Sequence, residues 1–179
     1  ISMYSQYVEK EDLYKAVDLY LQTQTGNKNS EISHLSTLVK GKDGEDYITY
    51  LTCKNSPIEF RDTCYADLYN RFPKGQFAAD ALSNVMYSNI KYERYTTAKK
   101  LGQEHLKKFP KVNSTPFVLF WLGKAEERSK NYEESRVYYK KIMKNYPDSY
   151  YSYRAYVDMY RIADALIVKD LIEKPVVFP

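Results

Sequence analysis

Lys144 to Tyr151 reads "KNYPDSYY", a proline set behind an aromatic residue at the end of a lysine-rich stretch. The same punctuation occurs upstream in "NRFPKGQF", starting at Asn70, and in "KKFPKVNS", starting at Lys107. The prolines, Pro73, Pro110 and Pro147, stand 37 residues apart each time. Proline lacks the amide donor and clashes with the preceding turn, so each one marks the end of a helix. A fixed period of this size is the mark of a solenoid, whose helical hairpins bury their apolar faces only by stacking on neighbours.

The units fill in around the prolines. Ahead of Pro147, Leu122 and Gly123 take the close crossing of a first helix, Ser135 the small-residue crossing of a second, and Tyr139 its large aromatic position. One period earlier Leu82, Val85 and Ala98 match, whereas Met86 and Gly102 stand where a small and an aromatic residue are expected. The first copy is legible only in its second helix, through Tyr65 and Leu68. The pattern resembles the tetratricopeptide repeat with three residues added to its usual 34, and turns such as "PDSYY" are expected to hold the excess. The expected fold is all-α, a right-handed solenoid of helical hairpins forming a tetratricopeptide-like superhelix with a repeat of about 37 residues.

Periodicity and caps predict helices over 3–22, 30–40, 44–53, 57–71, 76–91, 93–108, 116–129, 132–145 and 149–166. In "NSPIEF", Ser56 is expected to cap, Pro57 to open the helix and Glu59 to reach back as a capping box, a device that Thr115 and Pro116 repeat. Asp148 or Ser149 caps the last helix, on which Tyr150, Tyr153, Val157 and Tyr160 recur at helical spacing. That stripe is expected to fill the gap between successive repeats. The other use of such rings, with an apolar face and a polar tip, is a platform for a sugar or a peptide. The expected organisation is a helical region over 1–56, repeats over 57–173 and the start of a linker at 174–179.

Composition narrows the function classes. Six glycines in 179 residues and no phosphate loop or dinucleotide fingerprint argue against a nucleotide-binding fold. No apolar run approaches the length of a membrane span, so no transmembrane segment is expected. His34 and His105 lie far apart with no cysteine or carboxylate at ligand spacing, so neither a metal nor a cofactor is expected, and His105 reads as a packing histidine. Residues 1–60 carry net −3 and 61–179 net +7, with Lys99, Lys100, Lys107, Lys108, Lys140, Lys141 and Lys144 on second helices as a solvated face. Without a reading motif, nucleic acid is not an expected partner. Cys53 and Cys64 flank the "KNSP" turn and either form a disulfide, if the protein is exported, or remain two buried thiols.

Two passages carry a family likeness: "YADLYNRFPKGQFAADAL", and "WLGKA" at Trp121 to Ala125 followed by the tyrosine-rich run from Tyr138 to Tyr151. Together they resemble the helical superhelix that precedes the catalytic domain in soluble lytic murein transglycosylases. The terminal "KPVVFP", Lys174 to Pro179, resembles the passage into that domain. The resemblance implies a parent enzyme of the cell envelope that cleaves the N-acetylmuramic acid to N-acetylglucosamine bond without water. Such an enzyme leaves a 1,6-anhydro end and uses one glutamate of an "ES" motif followed by a "GLMQ"-like segment.

Neither motif occurs here, so no catalytic residue is assigned and the chain itself is expected to be inactive. Its implied role is to scaffold or guide glycan strands or a protein partner beside its own catalytic domain. Repeat register projects Ser83, Tyr87, Lys124, Arg154 and Arg161 onto the concave, ligand-facing surface. The alternative is a tetratricopeptide-type protein-interaction scaffold of the envelope with no enzyme attached.

Overall fold

The computed structural model describes residues 14, 17, 18, 20–22, 28–41 and 44–173, with the side chains of 28, 29 and 164–173 left out. Most of the helix expected over 3–22, and the 174–179 segment, lie outside the described residues. The described elements are α1 (Lys28–Leu38), α2 (Glu45–Asn55), α3 (Ile58–Arg71), α4 (Ala78–Lys91), α5 (Tyr95–Lys108), α6 (Thr115–Arg128), α7 (Tyr132–Asn145) and α8 (Tyr150–Glu173). No strand occurs among the described residues. The chain divides into two compact units, 1–84 and 85–179, so the division falls inside α4. The boundary at 56/57 expected from the sequence falls in the turn between α2 and α3.

The three prolines do what their chemistry requires. Phe72, Phe109 and Tyr146, each preceding a proline, leave the helical region with φ/ψ of −128/58, −130/65 and −140/54. Their amides still donate back to Leu68, His105 and Ile142. The turns between first and second helices repeat with equal fidelity. Glu93 (φ 58) and Lys130 (φ 64) both stand in the left-handed region. The next amides, of Arg94 and Asn131, bond the carbonyls of Asn89 and Glu126 at 2.8 and 2.9 Å, which satisfies helix-end acceptors.

Each second helix of unit 2 buries residues spaced i, i+4, i+7: Ala98, Gly102 and His105 on α5, Ser135, Tyr139 and Ile142 on α7. Size is matched across the crossings. A Cβ on Gly123 would come within 2.5 Å of the Tyr139 ring, and one on Gly102 within 2.9 Å of the Met86 sulfur and 2.7 Å of Leu122. The departure at Met86 and Gly102 is therefore a reversal, with the large residue on the first helix and glycine on the second. Met86, Ile90, Ala98, Val118, Leu122 and Ala125 form one core of unit 2; Leu119, Phe120, Tyr139, Ile142, Ala155 and Ile162 form another.

Unit 1 builds its core from Tyr14, Leu21, Ile32, Leu35, Tyr47, Ile48 and Leu51, with the Phe77 ring stacked on Tyr47 and Tyr50 at 5.3 and 4.5 Å. The α2–α3 hairpin is closed by a Cys53–Cys64 disulfide, with the Cα atoms 5.3 Å apart. Closing a loop of 11 residues constrains the unfolded chain by about 3 kcal/mol. Changing both cysteines to serine should lower the stability of unit 1 by about that amount, read as a drop in the urea midpoint with unchanged slope. An unchanged midpoint would contradict it.

Local expectations were corrected at several points. Ser56 ends α2 rather than capping α3: its amide bonds the Cys53 carbonyl and its hydroxyl donates to the Thr52 carbonyl at 2.7 Å. Pro57 becomes the cap residue, and no capping box forms. Thr115 is already helical, and its hydroxyl accepts from the Val112 amide at 3.1 Å, bracing the turn. Ser149 does cap α8, its hydroxyl accepting from the Tyr151 amide at 3.2 Å. The largest correction concerns α8, which runs to Glu173 and turns Tyr150, Tyr153, Val157 and Tyr160 outward. The buried phase is Ser152, Ala155, Asp158 and Ile162 instead.

Candidate partner-binding face

The first helices of unit 2 share a run of aromatic rings. Tyr87, in the part of α4 that belongs to unit 2, packs against Trp121 and Phe117 of α6 at 4.6 and 5.6 Å between centroids. Phe117 meets Tyr151 of α8 at 5.7 Å, and Tyr151 meets Tyr150 at 5.4 Å. Tyr87, Phe117, Trp121 and Tyr151 are all half-buried, so each offers an edge or a face to solvent. Behind them, fully buried Phe120 touches both Trp121 and Tyr151, fixing the rings from below. Arg154 closes the run. Its guanidinium lies 5.5 Å over the Phe120 ring and 5.9 Å over Tyr150, and donates to the Tyr150 hydroxyl at 2.9 Å.

The projected residues separate into different roles. Ser83 is buried, and its hydroxyl donates to the Asp80 carbonyl at 2.8 Å, so it is no surface ligand. Register placed it on a ligand-facing surface, but at that point on α4 the packed side of the helix faces inward. Tyr87 and Arg154 belong to the ring run. Lys124 and Arg161 are committed to the protein itself. Lys124 Nζ lies 3.1 Å from Glu127 and 3.4 Å from Asp158, and Arg161 bonds Glu127 and, at 3.1 Å, Asp158.

Tyr139 also donates to Glu127, at 3.0 Å, so one carboxylate ties α6, α7 and α8 together. Burial first, and the nearby Glu127 charge second, push the Tyr139 phenol far above its ordinary pKa. Burial works against the charge on Arg161, and Glu127 and Asp158 more than offset it. These residues hold the face in shape; they do not supply its free donors.

His105 is buried, with Nε2 3.0 Å from the Ser114 hydroxyl and its ring edge-on to Phe109. No cluster of three His, Cys, Asp or Glu residues suited to a metal occurs among the described residues. None of the described helices is long and apolar enough to cross a membrane.

Register reasoning missed Phe117, Trp121 and Tyr151. The signal was present in "FVLFW", Phe117 to Trp121, where large rings occur at both i and i+4 of a helix whose other face must also be packed. The arrangement offers ring faces, phenol hydroxyls and the Arg154 guanidinium, to which no carboxylate among the described residues is bonded, a chemistry suited to holding a partner.

Residues 117–149, from the first turn of α6 to the cap of α8, match the tetratricopeptide repeat. No curated protein matches the chain. The described residues are thus all-helical, their neighbouring helices pack as in a helical-hairpin solenoid, and the α6–α7 hairpin is similar to a tetratricopeptide repeat.

Proposed function

We propose that the chain is a protein-interaction scaffold and that its unit 2 holds a partner segment along the first helices α4, α6 and α8. The observation that carries this reading is the run of rings from Tyr87 to Tyr150, edged by Arg154. Half-buried aromatic rings supply large contact area at little conformational cost, and an arginine at their edge fixes the register of a carboxylate. The segment that fits carries apolar side chains followed by an acidic group.

The test uses peptides selected from a displayed random library against the folded chain. Trp121, the single tryptophan, serves as the fluorescent reporter inside the face. Arg154→Glu changes an exposed residue, so it should leave the melting temperature unchanged while weakening the selected peptides roughly thirtyfold, about 2 kcal/mol. Peptides that bind the variant as tightly as the wild type would remove this face from the reading.

A finer reading places the scaffold in the cell envelope beside a murein-cleaving domain, with glycan strands or that domain as its partner. It is supported by the passages at Trp121 to Ala125 and Tyr138 to Tyr151, and by the Cys53–Cys64 bridge, which suits an oxidising compartment. Sedimentation with isolated murein distinguishes the two. Retention that Arg154→Glu abolishes supports the envelope reading, and a chain left wholly in the supernatant removes glycan strands as its partner.

A further inference from the structure

Three of the residues 37 positions before Tyr153, Tyr156, Val157 and Tyr160 are Pro116, Leu119 and Phe120, and the fourth is Gly123, all buried. One period further back stand Ala79, Leu82, Ser83 and Met86, also buried. On α6 these positions are covered by α7, whose Tyr139 ring lies against Gly123 and Phe120. On α8 the same positions are open: Tyr153 is 67 % exposed, Tyr156 52 %, Val157 46 % and Tyr160 59 %. The sequence dedicates this face to burial, and nothing described covers it.

The missing cover has a local cause. The hairpin turns after α4 and α6 need a left-handed residue, supplied by Glu93 and Lys130. One period on stands Ile167, whose branched Cβ makes positive φ costly, and α8 continues straight through to Glu173. The third hairpin therefore does not fold back where the other two do.

We propose that this open face of α8 seats an amphipathic helix from a protein partner, standing where a second helix of the hairpin would stand. This extends the interaction-scaffold reading to a second surface. The face also states what the helix must carry. In each complete crossing of unit 2 a large residue meets glycine: Met86 against Gly102, and Tyr139 against Gly123. The first-helix position is held here by Tyr160, so the incoming helix needs a small residue there, four positions after its first buried one and three before its last. A second copy of the chain is a poor fit, because its own α8 brings tyrosine or valine to every position of the stripe. Arg154, exposed along one border of this face, favours an acidic side chain on the neighbouring flank of the helix.

The experiment compares two labelled peptides of about 18 residues, long enough to hold a helix. Both carry the pattern Ala-x-x-x-small-x-x-Leu with glutamates on one flank, and they differ only in glycine or tyrosine at the small position. Fluorescence anisotropy with the full chain should show the glycine peptide binding about tenfold or more tightly than the tyrosine peptide. Val157→Lys, a change at an exposed position, should abolish binding of the glycine peptide without altering the melting curve.

Equal affinities, no binding, or binding that Val157→Lys leaves intact would overturn the proposal. So would a wild-type dimer in sedimentation that Val157→Lys dissolves, since a second copy would then own the face. Library peptides on the ring run should bind Val157→Lys as they bind the wild type. Failure of the library to yield any peptide that binds the wild type through the ring run, with the glycine helix still bound by the wild type, sinks the ring-run reading and spares this one.

Discussion

Gly123→Met alone is expected to destabilise unit 2 severely, and its loss combined with that of Tyr139→Gly is expected to fall short of the sum of the two. A Cβ at Gly123 would stand 2.5 Å from Tyr139 Cε1, 2.9 Å from Cδ1 and 3.1 Å from Cζ, with a rigid ring that has nowhere to go. Tyr139 is fully buried among Phe120, Ile142 and Leu119. Overpacking such a site costs about 1–3 kcal/mol, and more when the clash involves a ring rather than a flexible tip. Tyr139→Gly alone empties the same space and costs about 3–5 kcal/mol as a large-to-small change.

Combined, the two place a methionine on the first helix against glycine on the second, the arrangement that Met86 and Gly102 already adopt one period earlier. The pair should therefore couple favourably by about 2 kcal/mol in a double-mutant cycle. Urea unfolding followed through Trp121 fluorescence measures it, and simple additivity of the two losses would refute size matching as the rule of the crossing.

Alkaline unfolding should be abrupt. Burial is the leading cause that raises the phenols of Tyr47, Tyr65 and Tyr139. Tyr65 is pushed up to about 12, and the other two go higher with the help of Asp18 and Glu127 respectively. An unfolded tyrosine ionises near pH 10. Below that pH both states hold the proton and no stability is lost; above it the unfolded chain has released protons that the folded chain still keeps. Each buried tyrosine then costs about 1.4 kcal/mol per pH unit, from about pH 10 up to its folded value.

Unit 1 holds Tyr47 and Tyr65, so it should lose about 3 kcal/mol per pH unit, and unit 2 about half as much through Tyr139. Against a total of about 5–15 kcal/mol, the helical circular dichroism of unit 1 should start to fall near pH 12, ahead of that of unit 2. The late part of the tyrosinate absorbance should rise in step with that fall. Complete tyrosine titration near pH 10 with the helices intact would disprove it.

The repeat was legible because its determinants are local. Proline at 73, 110 and 147 forbids the helix to continue whatever surrounds it, and the residue before each is driven out of the helical region by the proline ring. The positions Ala98, Gly102 and His105, and Ser135, Tyr139 and Ile142, follow from a 3.6-residue period that any buried helix face must obey. Caps were less legible because a serine or threonine between two helices has acceptors on both sides. Ser56 bonds backward to Thr52 and Thr115 bridges Val112, choices set by how closely each turn brings those groups together.

The sequence by itself determined the all-helical class, the period of 37 residues, the hairpin crossings at Gly123 and Tyr139, and the nearness of Cys53 to Cys64 across a turn. Tertiary structure alone decided which side of α8 faces inward. Tyr150, Tyr153, Val157 and Tyr160 and the buried Ser152, Ala155, Asp158 and Ile162 obey the same helical period, so periodicity cannot choose between them. The choice falls to small side chains that let α8 approach α6 and α7, and to Asp158, whose carboxylate meets Lys124 and Arg161 in a network assembled from two helices. It decided the binding face in the same way. Tyr87, the Phe117–Trp121 pair and Tyr151 sit on three different helices, and only stacking of those helices brings the rings within contact, since contact depends on distance in space.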